Sequence, residues 1–283
     1  MRGYVALTKP RILLLVIFTG LPVMGMATGA RPSPLLVVAT LLGTALAAAA
    51  ANTLNCYIER DRDALMARTR TRPLPANVLQ PSEALVFGLA LAVLAIGILL
   101  ATGGPLAAGL GIASILFYVF VYTVWLKPRS PLNAVIGGAA GAVAPVIADA
   151  AVHGHISAAG WILFAIILLW QPPHVWAIAL FRKDDYQRAG IPMMPNVVGD
   201  QPTRWRMLWY TLALVPVTLA PLPLGVLGFP YAVCAAGLDV WFVWHCVRVL
   251  RERTDRAARR MFHVSLIYLF ALFAAMLVDL AVR

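Results

Sequence analysis

Long apolar stretches alternate with short polar ones along the whole chain, and their length decides what they are. Nine of them, at 12–29, 35–58, 83–102, 105–125, 132–152, 157–181, 207–224, 229–249 and 262–282, reach the length of a membrane-crossing helix, which is about 20 predominantly apolar residues. The pattern predicts an all-α polytopic membrane protein: nine transmembrane helices in one domain covering residues 1–283. The opening segment MRGYVALTKPR and the apolar stretch after it imitate a secretory signal. The length of that stretch, with many spans behind it, predicts a retained first helix instead.

Charge then orients the bundle. The chain is 61% hydrophobic and 12% charged, with a net charge of +11 and a mean hydropathy of +0.82. In a soluble chain such basicity would suggest nucleic acid; here it follows the loops, and no nucleic-acid partner is expected. Of the 23 lysines and arginines, only Arg31 and Arg283 fall on one side of the predicted membrane. The positive-inside rule therefore predicts a cytoplasmic N-terminus and an outside C-terminus. It also predicts that the polar chemistry of this multi-pass protein faces the cytoplasm; the expected location is the bacterial inner membrane. The three cysteines, Cys56, Cys234 and Cys246, are too few and too scattered for a disulfide framework or a metal site.

The polar chemistry concentrates in NCYIERDRDALMARTRTRPLP at 55–75. If the second span continues through it as a helix, Asn55, Glu59 and Asp63 stack along one face at steps of four, while Asp61 points away. Hard oxygens followed by Arg68 and Arg72 suit a Mg²⁺-bound polyphosphate. A second acidic cluster, Asp184 and Asp185 in FRKDDYQRAGIPMMP, follows the sixth span among Arg182, Lys183 and Arg188. Two such clusters could meet at one cavity mouth and hold a leaving diphosphate. The plain alternative is a pair of solvated helix ends. An acid wasted at a membrane boundary is expensive, which weighs against it.

These residues carry a resemblance. N-x-x-x-(D/E)-x-x-x-D followed by R-T-x-x-R-P resembles the first signature of the UbiA superfamily of intramembrane prenyltransferases. LTKPR at 7–11, YTVWLKPRSPLNAVIGGAAGAVAP at 122–145, WQPPHVWAIALFRKDDYQRAGIPMMP at 170–195 and MFHVSLIYL at 261–269 resemble the branch of it that acts on haem. The resemblance implies a UbiA-type helical bundle that condenses farnesyl diphosphate with a vinyl group of haem B and adds water. Mg²⁺ would be the cofactor, haem B a substrate, and a haem A synthase or terminal oxidase a downstream partner. It implies Asn55, Glu59, Asp63 and Asp185 as catalytic residues, with the first three joined by Asp184 and Asp185 as metal ligands. Arg68, Arg72, Lys127, Arg129, Arg182 and Tyr186 would bind diphosphate. Four features depart from the pattern: Glu59 stands where aspartate is usual, Asp185 is followed four residues later by Ala189, and Pro128 and Asp149 are unusual.

His174, between Trp170 and Trp176, and His263 are the candidate haem contacts, through an imidazole nitrogen. A lone histidine is more often a packing residue. Tyr118, Tyr122, Trp125, Trp170, Trp176 and Tyr186 are candidate belt residues, of which one or two could face an allylic cation. Asp149, Asp239 and Asp279 have no role in this reading. Two alternatives remain: the same diphosphate machinery acting on a quinone precursor or other aromatic acceptor, and a membrane haem carrier to which Asn55, Glu59 and Asp63 would be dispensable.

Overall fold

The computed structural model describes residues 1–26 and 32–283, so the end of the first predicted span and Arg31 lie outside the described residues. All described regular structure is helical. Helix α1 (Arg2–Thr8) meets α2 (Pro10–Gly25) at a 46° bend centred on Lys9, and α3 runs over Pro34–Leu65. Helix α4 (Pro81–Leu116) continues as a π-helical stretch, Phe117–Leu126. Then come α5 (Asn133–Ala142), α6 (Ala144–His153), α7 (Ala158–Phe181), α8 (Lys183–Arg188), α9 (Met194–Val198) and α10 (Asp200–Leu219). The long pair α11 (Phe229–Glu252) and α12 (Asp255–Val282) closes the bundle.

Local chemistry sets the ends. The Ser33 hydroxyl accepts from the Leu36 N–H at 3.2 Å, with Pro34 preset for the first turn. Gln80 and Glu83 form a reciprocal cap before Pro81 opens α4. Asp149 and Asp279, without a role at the sequence level, also cap helices. The Asp149 carboxylate accepts from the Ser157 N–H at 2.6 Å and pairs with His153 Nδ1 at 2.6 Å. Asp279 accepts from the Gly228 N–H at 2.7 Å and the Tyr231 N–H at 3.2 Å, at the start of α11. Asp239 is buried between the hydroxyls of Thr218 and Tyr268, each at 2.6 Å. All three acids inside the apolar bundle are thus satisfied by local donors.

Among the described residues, six segments are long and apolar enough to cross a membrane, seven if α1 and α2 count as one bent span. That is fewer than the nine expected, for two physical reasons. The third and fourth expected spans form one element of 46 residues, Pro81–Leu126. Gly104 breaks it with a left-handed φ of 77° just before Pro105. At 1.5 Å per residue the element is roughly 69 Å long, about twice the hydrocarbon thickness. The seventh expected span begins earlier than foreseen, and Asp200, Arg204 and Arg206 in its first turns dilute its apolar run. Large apolar side chains such as Val93, Leu35 and Val240 point outward, as they must in lipid.

Helix α3 packs along α4, and α7 lies between α5, α10 and α12. This leaves the polar end of α3 facing the π-helical end of α4 and the α7–α8 junction. The site forms there.

Candidate active site

Helix α3 does continue through Asp63, and Asn55, Glu59 and Asp63 are all buried on its inward face. Asp61 is exposed, as the four-residue step requires. Each acid has a cation from a different part of the chain. Lys127 Nζ lies 2.6 Å from Glu59 Oε2, and Arg72 Nη1 lies 2.6 Å from Asp63 Oδ2. Asn55 bridges the column: its Nδ2 donates to Glu59 Oε2 at 2.8 Å and to Thr123 Oγ1 at 3.1 Å. Its Oδ1 accepts from Lys9 Nζ at 3.0 Å.

The π-helical winding matters here. It carries Thr123 Oγ1 onto the Tyr118 carbonyl five residues back at 2.8 Å, and the Lys127 N–H onto the Tyr122 carbonyl at 2.9 Å. Thr123 and Lys127 can then both face α3. Burial works against the charge of Lys127, but Tyr122, Glu59 and then Tyr186 more than offset it, holding its pKa above the ordinary lysine range. Burial likewise opposes the Arg72 charge, and Asp63, Cys56 and Glu59 together more than offset it. Both cations persist at any physiological pH.

The second cluster approaches through Tyr186, which is buried with Met66, Ala179, Ala189, Ile191 and Met193. Met66 follows the acid column directly, so this apolar cluster ties the two polar loops together. Asp185 is buried and pairs with Arg188 at 2.5 Å. Arg182 stands 3.6 Å from its other oxygen, too far for a hydrogen bond.

The remaining expectations fare unevenly. Asp184 is exposed on α8, so Asp185 alone of the pair turns inward. Arg68 is exposed and makes no ion pair among the described residues. Arg129 is drawn off the site: its Nη1 donates to the Val124 and Trp125 carbonyls at 2.9 and 3.2 Å, closing the end of the π-helical stretch. His263 is exposed, with Nδ1 on the Arg259 carbonyl at 2.8 Å. His174 lies inside the bundle, its ring stacked between Trp170 and Phe262 at 4.5 and 4.8 Å, with Nδ1 at 2.6 Å from Ser265 Oγ. Lys9 and Thr123 are the site residues that sequence reasoning missed. A lysine just before a proline inside an apolar segment is a signal in itself, because a cation there needs a partner.

Three carboxylate oxygens, Glu59 Oε1, Asp63 Oδ1 and Asp185 Oδ2, are buried without a hydrogen-bond partner. Buried charged oxygens are costly unless something meets them, and hard oxygens suit a divalent cation. Among the described residues no three acidic, histidine or cysteine side chains converge as a closed metal cage. Mg²⁺ does not require one, since it commonly takes one or two carboxylates and completes its shell with water and substrate phosphate. The donor set and the surrounding cations therefore suit a metal–diphosphate pair better than a metal alone.

The model of the UbiA prenyltransferase family matches residues 13–274. The chain belongs to the UbiA prenyltransferase family. This UbiA protein is 45% identical over 280 residues to a protoheme IX farnesyltransferase of Gloeobacter violaceus, covering 99% of this chain and 92% of the relative. It is 47% identical to a protoheme IX farnesyltransferase of Symbiobacterium thermophilum, covering 98% and 94%. Its fold matches a solved structure of digeranylgeranylglyceryl phosphate synthase with a TM-score of 0.82 at 17% identity, covering 100% and 99% of the two chains. A UbiA homolog from Archaeoglobus fulgidus bound to DMAPP and Mg²⁺ matches with a TM-score of 0.71 at 17% identity, covering 98% and 99%. At that identity the two structures speak to the fold alone. Together these place the buried carboxylate column in a multi-pass prenyltransferase.

A close helix approach supports the column. A Cβ added to Gly137 on α5 would fall inside the Tyr122 ring, which stands beside Lys127. Gly137→Ala is expected to push Tyr122 aside and lower kcat/KM by about a hundredfold, the usual cost of misplacing a reacting group by roughly 1 Å. Gly97→Ala, with nothing within 4 Å of the new methyl, serves as the control. Equal activity in the two variants would show that the position of Tyr122 is immaterial.

Proposed function

We propose that the protein transfers the farnesyl group of farnesyl diphosphate to a vinyl group of haem B, with addition of water, giving haem O and diphosphate. Near-complete alignment with relatives named protoheme IX farnesyltransferase is the observation that carries this reading. In it, Glu59 and Asp63 would hold Mg²⁺ through their unpartnered oxygens, with Asn55 orienting Glu59 and Asp185 offering a further carboxylate oxygen from α8. When bound, Mg²⁺ supplies charge neutralisation on the diphosphate oxygens.

The chain's own residues do the rest. Lys127, Arg72 and Lys9, already gathered on the column, hold the departing diphosphate as the C1–O bond breaks and its electron pair leaves with oxygen. Arg182 approaches from the α7–α8 side. The half-buried rings of Tyr118 and Tyr122, 5.1 Å apart, shield the allylic cation and keep bulk water from it. The vinyl carbon of haem attacks C1. The new cation beside the macrocycle takes one water, which then loses a proton. His174 is the histidine placed to meet haem: with Nδ1 on Ser265, its Nε2 is left for the acceptor.

The same reading places nine crossings in the membrane. It counts the two halves of Pro81–Leu126 separately and adds α10 and the bent α1–α2 pair. The N-terminus and the site face the cytoplasm and the C-terminus lies outside, in the bacterial inner membrane, on the charge asymmetry of the loops.

The direct test incubates purified protein with haem B, farnesyl diphosphate and Mg²⁺ and follows haem O by mass. Product that disappears with EDTA and returns with added Mg²⁺ is the expected result. Prenylation of a quinone precursor but not of haem would overturn the acceptor, and haem binding without product would favour a carrier.

A further inference from the structure

At the loop-rich end of the last two helices a cavity of about 230 Å³ is lined by Arg248, Glu252, Arg256, Ala257 and Arg260. Arg253, with a left-handed φ of 55°, turns α11 sharply into α12 and so brings arginines from both helices together. Glu252 pairs with Arg248 at 2.5 Å, while Arg256 and Arg260 make no ion pair among the described residues. Topology alone asks only for positive charge near this face. It does not ask three guanidinium groups from two helices to converge on one hollow.

The hollow does not stand alone. Arg248 also lies over the Trp244 ring at 5.1 Å, and Trp244 lines a second cavity, of about 410 Å³, with Val215, Leu219, Ala236, Val240 and Val243. This one is an outward-facing groove between α10 and α11: Val240 and Trp244 are 72% and 53% exposed. Asp239 at its edge already accepts two hydrogen bonds and offers the groove no free charge. Ala236, Val240, Trp244, Arg248 and Glu252 follow one another at steps of four, a stripe that winds about 40° around α11 at each step. From Ala236 to Arg248 the stripe is roughly 18 Å long, close to the hydrocarbon depth of one leaflet, about 15 Å. The Arg259 guanidinium over the Phe181 ring, at 4.6 Å, puts the basic end at the same membrane face as Arg182 and Asp185.

We propose that these two cavities form one binding site for an anionic phospholipid, with the phosphate diester on Arg256, Arg260 and Arg248 and one acyl chain in the groove. Charge complementarity selects the headgroup, because a zwitterionic lipid would bring a second cation among the arginines. The apolar stripe selects a ligand that arrives with a long chain. Arg248, stacked on Trp244 and tethered by Glu252, marks the join between the two parts.

The test uses the full chain in detergent, titrated with dioleoylphosphatidylglycerol or dioleoylphosphatidylcholine, and reads native mass spectrometry and thermal unfolding. Phosphatidylglycerol should persist as a one-to-one adduct and raise the midpoint. The double variant Arg256→Ala/Arg260→Ala should weaken it about thirtyfold, since each arginine near an anionic headgroup is worth about fivefold. The charge-keeping pair Arg256→Lys/Arg260→Lys should retain most of the affinity. Val240→Trp, which fills the groove from an exposed position, should weaken binding without touching the arginines. Equal retention of the two lipids, or an adduct indifferent to both the alanine pair and Val240→Trp, would reduce the cluster to topology charge. Displacement of phosphatidylglycerol by an equal concentration of farnesyl diphosphate would make the site a substrate station and overturn the lipid assignment.

Discussion

Asp63→Ala is expected to lower haem O formation by about a thousandfold, equivalent to about 4 kcal/mol of transition-state stabilisation. The carboxylate is buried, one oxygen is tied to Arg72, and the other is left without a partner at the mouth of the column. Removing it takes away a hard ligand where leaving-group charge develops and frees Arg72 to turn toward water. Asp63→Asn should lose nearly as much, because it keeps the shape and not the charge, and both variants should need more Mg²⁺ for half-maximal rate. Asp61→Asn is the matched control: its side chain is 88% exposed on the opposite face of the same helix turn. Should Asp61→Asn cost as much as Asp63→Asn, general charge at this face would explain the result and the ligand assignment would fall.

Lys127→Gln should act on both stability and chemistry, and a cycle with Glu59→Gln separates the two. The pair is buried, with Lys127 and Glu59 side chains 16% and 2% exposed. Removing the lysine alone strands the carboxylate, and breaking such a buried pair costs about 3 kcal/mol or more. It also removes a cation from the leaving group, worth about a hundredfold to a thousandfold in rate. Glu59→Gln alone strands the lysine beside the Tyr122 ring, 5.7 Å from its centroid. The double variant should recover most of the stability, because no charge is then unpaired, and none of the activity. Thermal unfolding in detergent and haem O assays on the four proteins decide it. Activity that returns with stability would reduce Lys127 to a support for Glu59.

Much of this site was legible before any coordinate. The step of four from Asn55 to Asp63 is a local property of one helix, and a helix that leaves the membrane keeps its register without help from its neighbours. The Asp61 control follows from the same geometry. Pairing is a different matter. Arg72 is nine residues from Asp63, but Lys127 is sixty-eight from Glu59 and Lys9 forty-six from Asn55. Counting charges cannot say which of five candidate cations will arrive. Arg129, two residues from Lys127, goes instead to two backbone carbonyls left open where the π-helical stretch ends. The turn between them sends one side chain inward and the other back along the helix.

The amino-acid sequence by itself determined a multi-pass helical protein, the placement of its polar chemistry in a few loops, and the inward column of α3. Those are consequences of apolar run length and of a 3.6-residue period, which act over neighbouring residues. Only the tertiary structure decided that Asp185 and not Asp184 is buried, that Lys9 and Thr123 hold Asn55, and that Asp149, Asp239 and Asp279 serve helix ends and packing. It also decided that two expected spans join in one long element broken at Gly104. Each of these depends on which distant helices come to lie side by side. In a lipid-embedded bundle that choice follows from close packing and the need to satisfy every buried polar group, and neither is a property of a single stretch of chain.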